Sequence, residues 1–144
     1  MLRYVSIGEV HKDFHGLTCA TLHYLLDRYG EASVREILTR TAQGVYKTIH
    51  DELKRGSCDE LAAFWDYYLK REGGDFALER LVDGLRLVVH DCPALRHLVR
   101  LEREPDPILC SATRLFNEAL CDGTPFRATL SRTGTFSCVQ EVRR

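Results

Sequence analysis

The chain has 144 residues, 44% hydrophobic and 28% charged, with a formal net charge of -1. That size suits one domain over 1–144 with one sizeable core, and the balanced charge gives no electrostatic reason to expect nucleic acid or an anionic membrane as partner. Uncharged apolar runs are short, such as 87–89, too short for a transmembrane helix.

Met1-Leu2-Arg3-Tyr4-Val5-Ser6 lacks the apolar stretch and cleavage site of a signal peptide, so a cytoplasmic location is expected. The six cysteines include no CxxC pair, which points to free thiols in a reducing compartment, most of them core residues.

In chain order, Leu17, Ala20, Leu22, Leu25, Leu26 and Tyr29 predict a helix over 13–29, stopped by Gly30. Val34, Ile37, Leu38, Val45, Ile49 and Leu53 predict a second over 32–55, with Gly44 as a kink or a close helix crossing and Gly56 as the stop. Ser57 and Glu60 have the spacing of a capping box for a third helix, which packs Leu61, Phe64, Trp65, Tyr68 and Leu69 before Gly73-Gly74.

Asp83-Gly84 is a hairpin signal, and a turn there pairs Val82 with Leu85, Leu78 with Val89, and Arg80 with Leu87. Pro93 and Pro107 suit the first position of two helices, with Cys92 and Asp106 as their caps. A three-residue loop at 132–134 then pairs Leu130 with Phe136 and Ala128 with Cys138. The order predicts an α+β fold: N-terminal helices packed on a four-stranded antiparallel sheet made of two hairpins joined by two helices.

Two cysteines fall at helix starts, Cys92 as a cap and Cys110 in the first turn. Exposed N–H groups and the helix dipole favour a thiolate there, although small packing residues fit both positions as well. Cys110, Asn117 and Cys121 share one stripe that could line a pocket, with Asn117 orienting a polar ligand and Glu118 beside it as a carboxylate.

His11, His15, Cys19 and His23 recur at four-residue steps. Each step overshoots a turn by ~40°, so all four cannot address one metal ion, and no metal is expected. Gly16 after His15 lets a ligand or backbone approach closely. His90, His97, Cys58 and Cys138 read as structural.

Asp13-Phe14-His15-Gly16, Cys92-Pro93-Ala94, Asn117-Glu118-Ala119-Leu120 with Gly123-Thr124, and Gly134…Cys138-Val139-Gln140 together resemble the L-2-amino-thiazoline-4-carboxylic acid hydrolase family, from about residue 11 to 140. The resemblance implies hydrolysis of a non-peptide carbon–nitrogen bond in a small cyclic amidine or imine, without a cofactor. Cys110 or Cys92 would attack the C=N carbon, His15 would relay protons, and Asn117 and Glu118 would contact substrate.

The chain's C-terminal part is also similar to vinyl-reductase-type domains, which implies a ligand-binding or sensor role without catalysis. A homodimer formed through Trp65, Tyr67 and Tyr68 is the third reading.

Overall fold

The computed structural model describes residues 13–144; His11 lies outside them. The elements are α1 (Phe14–Tyr29), α2 (Glu31–Arg40), a π turn (Thr41–Val45), α3 (Lys47–Lys54), α4 (Asp59–Arg71), β1 (Asp75–Leu81), β2 (Gly84–Asp91), α5 (Pro93–Arg100), α6 (Ile108–Cys121), β3 (Arg127–Arg132) and β4 (Cys138–Arg143). The strands form one antiparallel sheet in the order β1-β2-β4-β3, so the fold is α+β, with two hairpins meeting at the sheet centre. None of the described helices is long and apolar enough to cross a membrane.

Helix stops fall where expected. Gly30 and Gly56 both take positive φ, at 83° and 84°, a conformation that only glycine enters freely. The stretch 32–55 is not one helix, because it widens into the π turn at Thr41–Val45 and restarts after Tyr46. Gly44 sits inside that turn, and a side chain placed on it would meet nothing within 4 Å, so it marks a kink and not a close crossing.

The N-cap of α4 is Cys58 and not the predicted Ser57, and no side chain caps the helix; Ser57, one residue earlier, accepts the Asp59 N–H at 3.2 Å through its Oγ. At α6 the N-cap is Pro107 and not the predicted Asp106, whose Oδ1 accepts the Ile108 N–H at 3.0 Å from one residue earlier. Cys92 is the N-cap of α5, with Pro93 at its first position.

Both hairpins pair in a different register from the predicted one. In the first, Leu81 faces Gly84 and Leu78 faces Leu87, so the turn is Val82-Asp83. Gly84 is needed in the strand, because a Cβ there would lie 1.8 Å from the Val142 carbonyl oxygen of β4.

In the second, Leu130 pairs with Gln140 and Ala128 with Val142. The loop grows because Thr133 and Gly134 both donate to the Ser137 carbonyl. Phe136 leaves the strand: its carbonyl accepts the Cys92 N–H at 2.7 Å and its ring lies under the Arg96 guanidinium. Both slips preserve parity, so the predicted sheet faces survive.

One face of the sheet carries Leu85, Leu87, Val89 and Val142 into the main core, which the helices complete with Ile49, Leu53, Leu61, Trp65 and Leu120. The opposite face carries a charged row in which Arg86 meets Glu141 at 2.7 Å and Glu79 at 3.5 Å. Trp65 is only 6% exposed, which removes it from the surface predicted for a partner. Its indole gains more from core burial than that surface reading allowed.

Candidate active site

A smaller cluster joins α1, α5 and α6. Cys19, Leu95 and Leu98 are buried together, and Cys92, Cys110, Ile108, Leu109 and Phe136 pack on them. Two of the predicted catalytic residues, Cys92 and Cys110, therefore meet here. Cys138, read from sequence as structural, lies on the side of the main core that Cys92 also touches. Its partner across the sheet is Arg132 of β3.

His15, one turn before Cys19, reaches this region from α1. Its Nε2 lies 2.9 Å from Glu72 Oε2, and both side chains are buried. Glu72 caps the C-terminal end of α4, where Gly73 takes φ 73°. The Gly73 N–H bonds to Lys70 and the Gly74 N–H to Leu69, a closing turn that glycine makes easily.

A Cβ on Gly74 would lie 3.2 Å from Pro93 Cδ, so the glycine lets the start of α5 settle against the end of α4. That contact brings the Glu72 carboxylate within electrostatic range of Cys92. The His97 ring stands 6.3 Å from that of His15. Its buried Nε2 has no hydrogen-bond partner among the described residues and lies 3.6 Å from Asp13 Oδ1.

Burial pushes all three thiols above the ordinary value. For Cys92 the N–H groups of Leu95 and Ala94 pull the other way, while Cys110 and Glu72 add to the rise. No cap hydrogen bond forms to the Cys92 side chain, so the helix start moderates the thiol without ionising it. For Cys110 the Arg132 guanidinium is the main opposing influence, and for Cys138 it is the Gln140 amide.

Asn117 is buried and donates through Nδ2 to Gln140 Oε1 at 2.8 Å, while Gln140 Nε2 lies 3.7 Å from Cys138 Sγ. The predicted binding residue thus reaches the Cys138 thiol through an amide relay. Glu118 does not join it: its carboxylate is held by Arg114 at 2.7 Å and Arg35 at 3.7 Å, on the side of α6 that meets α2. One residue along a helix turns the side chain by ~100°, so adjacent positions address different neighbours.

The predicted stripe also divides. Cys121 belongs to the main core beside Cys58, and burial pushes its thiol up to about 12.

Among the described residues no group of three or more His, Cys, Asp or Glu side chains is placed to hold a metal ion. Sequence reasoning missed Glu72, Cys138 and Gln140. Glu72 carried one signal, because an acid at a helix C-terminus opposes the dipole and so invites a cationic or hydrogen-bonding partner. No protein-family model matches this chain and no curated protein matches it in sequence.

Proposed function

We propose that this chain hydrolyses a carbon–nitrogen bond in a small cyclic amidine or imine. The observation that carries this reading is the buried His15–Glu72 pair, whose carboxylate lies within electrostatic range of the helix-start thiol of Cys92. A histidine oriented by a carboxylate is a suitable acid and base.

In the reaction, His15 takes the thiol proton of Cys92 or Cys110 as sulfur bonds to the C=N carbon, then delivers it to the ring nitrogen. The ring carbon–nitrogen bond then breaks, its nitrogen leaving protonated while the carbon regains a double bond to its remaining nitrogen or to sulfur. Water, losing a proton to His15, attacks that carbon, and the sulfur leaves, taking a proton back as the thiol. Free thiols at all six cysteines suit a reducing compartment, which supports a cytoplasmic location.

The test is turnover of five-membered cyclic amidines and imines, thiazolines included, followed by mass spectrometry. Cys92→Ser and Cys110→Ser are assayed separately, with His15→Gln alongside. Loss in one serine variant and in His15→Gln is expected. Full turnover in both serine variants removes thiol catalysis.

A second reading, ligand binding without turnover, is favoured by the raised thiols of Cys92, Cys110 and Cys138. Saturable binding of the same compounds with none consumed selects it.

A further inference from the structure

A cleft of about 310 Å³ opens beside this cluster, lined by Cys19, Leu98, Arg103, Glu104 and Asp106 along with two prolines. That volume suits a small ligand. Cys19 faces both the cleft and the cluster on which Cys92 and Cys110 pack. None of the chemistry described above uses Arg103.

Arg103 is delivered by an unusual helix end. The Arg103 N–H bonds to the Leu98 carbonyl and the Glu102 N–H to that of Val99, each at 3.0 Å. This is the glycine-type closing turn, yet Glu102 occupies the left-handed position at φ 57°, the one described non-glycine residue with positive φ. Such backbone strain persists only where the surroundings hold it.

The turn sends the guanidinium over α1. Its Nη1 lies 3.0 Å from the point where a Cβ on Gly16 would sit. Gly16, next to His15, therefore provides the space that Arg103 occupies. Arg103 makes no ion pair among the described residues, and its charge is felt by the Cys19 thiol.

We propose that Arg103 anchors the carboxylate of a ligand seated in this cleft, with Gly16 making room for the guanidinium. A guanidinium matches a planar oxyanion with two parallel hydrogen bonds. The Glu104 and Asp106 carboxylates lining the same cleft repel a dianion such as phosphate more than a monoanion. The inference rests on the hydrolase reading only in taking the ligand to be a small ring.

The experiment titrates the full chain with cyclopentanecarboxylate, its neutral carboxamide and inorganic phosphate, following backbone amide signals by NMR. Saturable shifts at Gly16 and Arg103 are expected with the carboxylate, and binding at least about tenfold weaker with the other two. Arg103→Gln is expected to weaken carboxylate binding at least about tenfold, and Arg103→Lys by less, since lysine keeps charge without the fork.

Gly16→Ala should fold and also bind more weakly, because the tip of the arginine can shift aside. The anchor is overturned by no saturable shift in the wild type, by unchanged affinity in Arg103→Gln, or by equal binding of phosphate or carboxamide. Carboxylate binding with no amidine turnover leaves the anchor standing and removes the hydrolase reading. Turnover without carboxylate binding does the reverse.

Discussion

His15 Nε2 meets Glu72 Oε2 at 2.9 Å with both side chains buried, tying the first turn of α1 to the cap of α4 across 57 positions. Removing Glu72 leaves the buried His15 imidazole stranded away from water. Glu72→Ala is therefore expected to destabilise the fold by about 3 kcal/mol. Glu72→Gln keeps a hydrogen-bonding group and should cost about 1 kcal/mol. Urea unfolding reads both, and near-equal losses would mean that the carboxylate charge contributes nothing beyond its hydrogen bond.

Two glycines should respond with opposite sign. In Gly84→Ala the new Cβ meets the Val142 carbonyl oxygen at 1.8 Å, so β2 and β4 must part, at a cost of at least about 2 kcal/mol. In Gly44→Ala the methyl meets nothing within 4 Å, and the unfolded chain loses freedom, so a gain of about 0.5–1 kcal/mol is expected. Thermal unfolding of the two variants checks the pair. A stable Gly84→Ala protein would place the turn back at Asp83-Gly84.

These glycines also show what the sequence could and could not convey. Helix ends at Gly30, Gly56, Cys92-Pro93 and Asp106-Pro107 were legible because each is fixed by a local backbone need. The hairpin registers were not, since Gly84 answers to Val142 in a strand 58 positions further along the chain and Phe136 to the Cys92 N–H.

The site divides in the same way. Cys92 and Cys110 announced themselves by helix position, and His15 by its glycine. Glu72 and Gln140 act through partners 57 and 23 positions away, distances that no local pattern encodes.

The Asn117–Gln140 contact predicts coupled losses. Asn117→Ala leaves the buried Gln140 Oε1 without its donor, which should cost about 1–3 kcal/mol. Gln140→Leu strands Asn117 in turn. In the double variant neither orphan remains, so the losses should fall short of additive by about 1 kcal/mol. Urea unfolding of the four proteins supplies the cycle. Strict additivity would break the proposed relay. Gln140→Leu should also slow alkylation of Cys138, because the amide that holds its thiol down is gone.

Cys121 makes the fold sensitive to alkali. Burial, with Cys58 beside it, pushes its thiol up to about 12 from an ordinary value of 9.0. Above pH 9 the unfolded chain releases this proton while the folded chain keeps it. The folded state then binds more protons, and stability falls as pH rises. The contribution is fully present below pH 9 and is lost progressively towards pH 12, with a total of roughly 4 kcal/mol.

The other five thiols shift in the same direction, so the wild-type slope is a sum. Cys121→Ala should lose about 1 kcal/mol at pH 7 through the smaller side chain, yet decline less steeply between pH 9 and 10.5. Urea unfolding across that window compares the two proteins, and parallel slopes would show that Cys121 does not carry the alkaline loss.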